Sequence, residues 1–257
     1  MLNKLFSLEG RVALVTGGSR GIGKMIAEGF VAAGARVYIS ARKAEACEAT
    51  AAELSKLGTC IALPQDVATV EGCKALQAQY EQREERLDVL VNNAGAAWAA
   101  EFDDFPEHGW DKVMNLNVKS PFFLTQALHG ALKRGASAAQ PAKVINIASI
   151  DGIRLNPLET YSYHASKAAL IYLTRRMAAR LVRDQIVVSA IAPGPFASEM
   201  NRAARDHADA VAARTPLRRI GSDEDMAGTA IFLASRAGDY VVGETIAVDG
   251  GIAHAQV

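Results

Sequence analysis

The chain has 257 residues, half of them hydrophobic, and its 28 basic and 28 acidic side chains give a formal net charge of zero. This length and apolar content suffice for a substantial buried core, and the balanced charge excludes the strongly basic surface typical of proteins that bind nucleic acid or anionic membranes. Three cysteines, Cys47, Cys60 and Cys73, form no CxxC pair, which favours packing roles in a reducing compartment and predicts no metal site.

The N-terminal segment has only a short apolar stretch, interrupted by charge, and no small-residue cleavage pattern. We therefore expect no secretory signal and a cytoplasmic protein. No apolar run approaches the length that a membrane span requires, so no membrane partner is expected.

Short β-rich segments then alternate with longer helical patterns along the chain. The predicted strands are Val12–Thr16, Val37–Ser40, Cys60–Leu63, Val89–Val91, Val144–Ile147, Val187–Ile191 and Thr245–Val248. The predicted helices are Gly21–Ala33, Ala44–Leu57, Val70–Arg86, Gly109–Leu132, Ala165–Arg183 and Asp223–Leu233. This alternation predicts an α/β fold, a Rossmann-type doubly wound sheet of about seven parallel strands with helices on both faces, in a single domain over residues 1–257.

Two segments interrupt this alternation. Gly135–Ala142 is small and polar, and it predicts a surface loop. Pro193–Gly221 is too long for an ordinary connection, so we expect a substrate lid at about residues 193–221.

A glycine-rich loop, Thr16-Gly17-Gly18-Ser19-Arg20-Gly21-Ile22-Gly23, follows the first strand and opens the first long helix. In this context Gly17, Gly21 and Gly23 can bring backbone amides and a helix N-terminus against a pyrophosphate. Because turns without ligands also use glycine, the loop alone does not establish a nucleotide site.

The second strand ends in Ser40-Ala41-Arg42, where a domain that binds NAD usually has an acid for the ribose hydroxyls. Arg42 and Arg20 can instead hold a 2′-phosphate through charge-assisted hydrogen bonds. The pattern favours NADPH/NADP+ over NADH, and the alternative is two solvated surface arginines.

Tyr163 and Lys167 are four residues apart, which places them on one face of a helix, whereas Tyr161 has no lysine at this spacing. A nearby cation favours the phenolate, so we expect Lys167 to lower the pKa of Tyr163 toward the working range. The pair alone also fits a packing tyrosine and a surface lysine.

Four separated motifs together resemble the short-chain dehydrogenase/reductase family over nearly the whole chain: the glycine loop, Asn92-Asn93-Ala94-Gly95, Ser149, and Tyr163-x-x-x-Lys167. The resemblance implies that Ser149 polarises a substrate carbonyl while Tyr163 donates the proton and hydride arrives from nicotinamide. It also implies that Lys167 binds the nicotinamide ribose and that Asn117 holds a proton-relay water.

The resemblance further implies a set of cofactor-binding residues, with Asp66 and Val67 at the adenine and the Pro193 segment at the nicotinamide. They are Gly17, Ser19, Arg20, Gly21, Ile22, Gly23, Arg42, Asp66, Val67, Asn93, Ala94, Gly95, Tyr163, Lys167, Pro193, Gly194, Phe196 and Ser198. Substrate contacts are expected from Ser149, Asp151, Tyr163 and Pro195, in a pocket framed also by Trp98, Ile150 and Phe196.

One feature departs from the family pattern. Ser149 lies fourteen positions before Tyr163, one more than the family leads us to expect. A loop containing Arg154-Leu155-Asn156-Pro157-Leu158 can absorb the extra residue, and its conformation then helps to shape the substrate pocket.

Within the family, the segments Phe6–Val15, Ser19–Gly23 and Val248–Gly251 resemble bacterial 3-oxoacyl-ACP reductases. The segments Ala41–Cys47 and Ala136–Pro141 are similar to NADPH-dependent β-ketoacyl reductases associated with rhamnolipid synthesis. The resemblance implies an NADP(H)-dependent enzyme that reduces a ketone to an alcohol, with a 3-oxoacyl thioester, free or carrier-bound, as the leading substrate.

Alternatives stay open at this point: a small ketone, a diketone or a steroid-like alcohol as substrate, or a catalytically silent NADP-binding sensor or scaffold. Basic residues on two helices near the site could receive a carrier protein, although a solvated surface explains them better. The family also implies a homotetramer built on the Gly109–Leu132 and Ala165–Arg183 helices.

Overall fold

Seven strands form one all-parallel sheet in the computed structural model, which describes residues 2–255. The strands are β1 Val12–Thr16, β2 Arg36–Ser40, β3 Cys60–Ala62, β4 Val89–Asn92, β5 Ala142–Ile147, β6 Ile186–Pro193 and β7 Thr245–Val248. Their order in the sheet is β3-β2-β1-β4-β5-β6-β7. The predicted doubly wound parallel sheet is confirmed.

Helices connect the strands and cover both faces of the sheet. They are α1 Leu2–Phe6, α2 Gly21–Ala32, α3 Ala44–Leu54, α4 Val70–Glu81, α5 Glu107–Met114, α6 Ser120–Ala127, α7 His129–Gly135, α8 Tyr161–Leu181, α9 Arg202–Asp206, α10 Ala208–Ala212 and α11 Asp223–Ala234. Short 3-10 turns lie at Phe102–Asp104, Ile150–Gly152, Val182–Asp184 and Arg236–Gly238, and a π turn lies at Asn115–Lys119.

The prediction of one continuous helix over Gly109–Leu132 is wrong, because the structure divides this segment into α5, the π turn, α6 and α7. The π turn contains Asn117, whose side chain bonds the loop after β4 instead of facing solvent. Pro121 lies in the first turn of α6, where its missing N–H is tolerated. A specific tertiary contact thus overrides the helical periodicity of the sequence.

The core consists of two apolar layers, one on each face of the sheet. Along β1, Ala13 and Val15 enter the layer formed with α2, α3 and α11, whereas Val12 and Leu14 enter the layer formed with α4, α6 and α8. All five residues of β1 are buried, as expected for a central parallel strand covered on both faces.

The candidate site residues lie at the carboxyl ends of the strands. β1 and β4 are neighbours in the sheet, and the chain winds away from them in opposite directions. Loops that leave this edge diverge there and form the crevice in which doubly wound sheets bind ligands. No helix within residues 2–255 has both the length and the apolar character needed to cross a membrane.

Candidate active site

The glycine loop between β1 and α2 leaves no room for side chains. Gly17 has a φ of +65°, and a Cβ on it would lie 2.7 Å from Asn93 Nδ2. A Cβ on Gly23 would lie 2.3 Å from the Gly17 carbonyl oxygen. Arg20 occupies the N-cap of α2, and no side chain caps the helix there, so the first amides of α2 are available to an anion.

Thr16 and Asn93 join this loop to the loop after β4. Thr16 Oγ1 accepts hydrogen bonds from the backbone amides of Asn93 and Ala94, both at 3.0 Å. Asn93 Nδ2 donates to the carbonyl oxygens of Thr16 at 2.8 Å and Gly17 at 3.2 Å. The side-chain amide of Asn93 therefore holds the loop after β4, which also contains Gly95, against the glycine loop.

Thr16 is a supporting residue that the sequence motifs did not single out. Its side chain is buried at the end of the apolar β1. In the sequence, the available signal for this role was a single hydroxyl-bearing residue at the end of an apolar strand.

The end of β2 lies beside the glycine loop, since the Gly18 amide donates to the Ser40 carbonyl at 3.2 Å. Arg20 and Arg42 are both exposed, and neither forms a salt bridge with any residue in 2–255. No acid follows β2 at Ala41 or Arg42. Two exposed guanidinium groups without a salt bridge among residues 2–255 thus lie on the neighbouring segments that follow β1 and β2.

The remaining residues predicted for the adenosine half lie at the same edge of the sheet. Asp66 is exposed after β3, where its Oδ1 accepts from the Ala68 amide at 3.0 Å. Val67 is buried in the core, and Ile22 is half-buried against the core layer around α2. The Ser19 carbonyl accepts a hydrogen bond from Thr50 Oγ1 at 2.9 Å, which ties the glycine loop to α3.

Ser149, Tyr163 and Lys167 come together at the end of β5. Ser149 is buried and caps the 3-10 turn after β5, where its Oγ accepts from the Asp151 amide at 3.1 Å. Tyr163 and Lys167 lie one turn apart on α8, with Lys167 Nζ 5.5 Å from the centroid of the Tyr163 ring. Lys167 Nζ donates to the Ile147 carbonyl at 2.7 Å.

A turn and an outer loop connect Ser149 to Tyr163. A Cβ on Gly152 would lie 2.6 Å from the backbone carbon of Lys167, so the Ser149–Gly152 turn packs directly on α8. In the loop over residues 153–160, Leu155 and Leu158 are exposed.

Burial has the largest effect on the pKa values of Tyr163 and Lys167. It raises the pKa of Tyr163 to about 12, although the Ser149 hydroxyl lowers it. Burial also lowers the pKa of Lys167 to about 8, against the field of Asp151, which raises it. The expectation that Lys167 lowers the pKa of Tyr163 is wrong here, because loss of hydration outweighs the other influences on the phenol. At pH 7 the phenol therefore carries its proton and can donate it.

Asn117 joins three elements of the site. Its Oδ1 accepts from the Ala96 amide at 2.8 Å, and its Nδ2 donates to the Ala96 carbonyl at 2.9 Å and to Ser166 Oγ at 3.0 Å. Ser166 Oγ in turn donates to the Tyr163 carbonyl at 2.8 Å. The side chain of Asn117 thus holds the loop after β4 against α8, and Ser166 is a second supporting residue that sequence analysis missed.

The segment after β6 crosses the same edge. The Gly194 amide donates to the Val248 carbonyl at 2.9 Å, and a Cβ on Gly194 would lie 2.6 Å from Asp249 Cβ. Ser198 reaches the glycine loop, where its Cβ is 3.2 Å from the position of a Cβ on Gly21. This segment also contains α9 and α10 and is therefore partly helical.

Several residues predicted to frame the pocket have other contacts. Phe196 is only 2% exposed and its ring is tightly packed against Gly221, so the ring belongs to the core and does not frame a substrate pocket. Pro195 is buried and Asp151 half-buried. The Trp98 ring meets the His108 ring edge-on at 4.9 Å, which fixes its orientation beside the loop after β4.

Comparisons with known proteins agree with this geometry. A sequence model of the family described as "Enoyl-(Acyl carrier protein) reductase" matches residues 17–253. The rhamnolipids biosynthesis 3-oxoacyl-[acyl-carrier-protein] reductase of Pseudomonas aeruginosa is 49% identical over 97% of this chain and 99% of its own. The 2-dehydro-3-deoxy-D-gluconate 5-dehydrogenase of Escherichia coli is 39% identical over 98% of both chains.

The solved structures lead to the same relatives. A Pseudomonas aeruginosa RhlG/NADP active-site complex matches with a TM-score of 0.94 and 49% identity, covering 97% of this chain and 99% of that one. The resemblance inferred from the four sequence motifs is confirmed.

Proposed function

The chain belongs to the short-chain dehydrogenase/reductase family, and we propose that within it the protein is an NADPH-dependent reductase that converts a 3-oxoacyl thioester to the 3-hydroxy product. The observation that carries this proposal is the protonated phenol of the half-buried Tyr163, which lies with the buried Ser149 and Lys167 at the end of β5. A protonated phenol suits reduction, because the ketone oxygen must gain a proton as the carbonyl carbon gains a hydride.

The residues present fit NADPH. The tight glycine loop, the uncapped start of α2 and the unpaired Arg20 and Arg42 match a pyrophosphate and a 2′-phosphate. The adenosine half would lie against Asp66 and Val67, with Asn93, Ala94 and Gly95 alongside. Lys167, Pro193, Gly194, the backbone of Phe196, and Ser198 would hold the nicotinamide half. Bound there, NADPH supplies the hydride.

The protein's own groups handle the proton. Tyr163 Oη donates its proton to the substrate oxygen, and the Ser149 hydroxyl donates a hydrogen bond to the same oxygen. Lys167, already held at the Ile147 carbonyl, binds the nicotinamide ribose and returns a proton toward the phenol. Asn117 keeps the loop after β4 in place beside a relay water, and Asp151 and Pro195 contact the substrate.

The leading substrate comes from the relative named for 3-oxoacyl-[acyl-carrier-protein] reduction, which is more similar to this chain than the gluconate-type dehydrogenase. Small ketones, diketones and steroid-like alcohols are the alternatives, and a silent NADP-binding sensor is the alternative class. The intact Ser149, Tyr163 and Lys167 favour an enzyme over a sensor.

The test is a substrate panel assayed separately with NADPH and NADH. It includes 3-oxoacyl thioesters on CoA and on a carrier protein, an enoyl thioester, a diketone and a keto sugar acid. We expect the 3-oxoacyl thioesters with NADPH to give the highest kcat/KM. A preference for the sugar acid, for the enoyl thioester or for NADH would overturn the proposal.

We also infer that residues 1–257 act as one cytoplasmic domain with a lid at about 193–221, and that the protein is a homotetramer. Ser198 at the glycine loop supports a lid that closes over bound nucleotide. Exposed aromatic residues on α6 and α8, Phe122 and Tyr172, support contact between copies through these helices. Sedimentation equilibrium tests the tetramer, and a monomeric mass would refute it.

A further inference from the structure

Large apolar side chains lie exposed on two loops beside the candidate active site. Phe102 is 74% exposed, Leu155 83% and Leu158 66%. Phe105 and Tyr161 adjoin them, since the Tyr161 ring meets the Phe102 ring edge-on at 5.6 Å and the Phe105 ring at 5.7 Å. We call these five residues the apolar wall.

The loops that carry the apolar wall adjoin the segments that carry the catalytic residues. Its two loops follow β4 and β5, the strands that lead to Asn93 and Ser149. The Ala100 amide donates to the Glu159 carbonyl at 3.2 Å, so the two loops are joined at that point. Tyr161 opens α8, and the proton donor Tyr163 follows two residues later. A substrate held at Tyr163 and Ser149 can therefore extend along the wall.

Hydrogen bonds hold the wall in shape. Tyr161 Oη donates to the Glu159 carboxylate at 2.7 Å, and the Leu158 amide donates to Asn156 Oδ1 at 2.7 Å. His164, next to Tyr163 on α8, has its Nδ1 3.0 Å from both the Thr160 hydroxyl and the Thr160 carbonyl. These hydrogen bonds constrain the loop over residues 153–160, and its leucines stay exposed although apolar burial is favourable.

The charges around the wall are mostly negative. Residues 99–106 and 153–160 carry four acids, Glu101, Asp103, Asp104 and Glu159, and one base, Arg154. Arg154 is engaged by the carbonyl oxygens of Leu155 and Ile252. Acids repel a carboxylate, and exposed leucine and phenylalanine offer nothing to a polyol. The surface therefore suits an uncharged hydrocarbon chain and disfavours a sugar acid.

We propose that the apolar wall binds the hydrocarbon tail of an acyl substrate whose ketone lies at Tyr163, and that Leu155 and Leu158 set the preference for longer chains. This inference rests on the proposed function and specifies which part of the substrate the protein selects, namely the hydrocarbon tail. Such a surface would favour an acyl substrate over the gluconate-type substrates for which other relatives are named.

The kinetic experiment compares the wild type with the Leu155→Ser/Leu158→Ser double variant on 3-oxoacyl N-acetylcysteamine thioesters, from 3-oxobutanoyl to 3-oxodecanoyl, with saturating NADPH. Full burial of a methylene is worth roughly fourfold in affinity, and we expect about twofold on this half-open surface. Wild-type kcat/KM should rise with each methylene. The double variant should lose at least about tenfold on 3-oxodecanoyl and under twofold on 3-oxobutanoyl.

Leu57→Ser is the matched control, because Leu57 is similarly exposed (58%) but follows α3, away from the site loops. It should match the wild type at every chain length. Elution on a sizing column should be unchanged in both variants. A shift in the double variant together with an equal loss at all chain lengths would assign the wall to a contact between copies and overturn the proposal.

Binding gives a readout independent of turnover. Saturated butanoyl and decanoyl thioesters cannot be reduced, and calorimetry should show tighter binding of the decanoyl compound to the wild type and a loss of that difference in the double variant. If the wild type reduces 3-oxoacyl thioesters but neither rate nor affinity depends on the two leucines, the wall proposal fails and the proposed function stands. If it binds decanoyl thioesters through the leucines but reduces none of the 3-oxoacyl series, the proposed function fails, and with it the placement of a substrate ketone at Tyr163, while the leucines remain a binding surface for the acyl tail.

Discussion

Replacement of Lys167 by methionine tests the electrostatics of the site through stability alone. Lys167 is buried with a pKa of about 8 instead of 10.5, so below pH 8 the folded protein carries a charged amine that the unfolded chain would hydrate. At about 1.4 kcal/mol per pH unit, this costs the folded state about 3 kcal/mol. Methionine removes that cost but leaves the Ile147 carbonyl without its donor, a loss of about 1–3 kcal/mol.

The sign of the pH dependence follows from the lowered pKa. Between pH 8 and 10.5 the folded protein has released the proton while the unfolded chain still holds it, so Lys167 adds stability as pH rises. The free energy of unfolding of the wild type minus that of Lys167→Met should therefore increase by roughly 2–3 kcal/mol from pH 7 to pH 10. The raised pKa of Tyr163 acts in the opposite direction above pH 10, and it is present in both proteins.

Urea unfolding without added nucleotide, at several pH values, measures this difference. Lys56→Met is the control, since Lys56 is exposed and should give a difference that does not vary over the same range. A flat difference for Lys167→Met as well would refute the assignment of a buried, charged amine beside Tyr163.

Three further substitutions test the cofactor loop and its support. Arg42→Asp should lower kcat/KM with NADPH by about 10- to 100-fold and raise kcat/KM with NADH. The control Arg183→Asp, at an exposed site, should leave both values unchanged. If Arg42→Asp changed kcat/KM equally with both cofactors, the phosphate assignment would be contradicted. Gly17→Ala should destabilise the protein by more than about 1 kcal/mol and weaken NADPH binding, because Gly17 has a positive φ and lies close to Asn93. The control is Gly228→Ala on α11, where a Cβ would meet open space. In thermal unfolding this control should be neutral or stabilising. Asn117→Ala removes three hydrogen bonds and should lower both the melting temperature and kcat, so an unchanged kcat would place Asn117 outside the site.

Much of the fold could be predicted from the sequence because its central strands are continuous apolar runs between glycine-rich turns. β1 and β7 have the predicted bounds. Periodicity failed at Gly109–Leu132, because the break there depends on Asn117 reaching Ala96, a contact that brings distant segments together.

In the candidate site as well, local features could be predicted from the sequence and features that depend on distant segments could not. The spacing of Tyr163 and Lys167 was predictable, since it depends only on helix geometry. The pKa of Tyr163 was not, because it depends on burial by distant segments. The roles of Thr16 and Ser166 were also hidden, as each depends on a partner from another loop.

The central claim is that Tyr163 is the proton donor of a ketone reductase, and Tyr163→Phe tests it most directly. Turnover with NADPH and the best ketone of the panel should fall by at least about 100-fold, while NADPH affinity, measured by fluorescence titration, stays within about twofold because the phenyl ring and Lys167 remain. Tyr240→Phe, at a fully exposed tyrosine that precedes β7, should behave as the wild type. If Tyr163→Phe bound NADPH and turned over the ketone as fast as the wild type, the account would be contradicted.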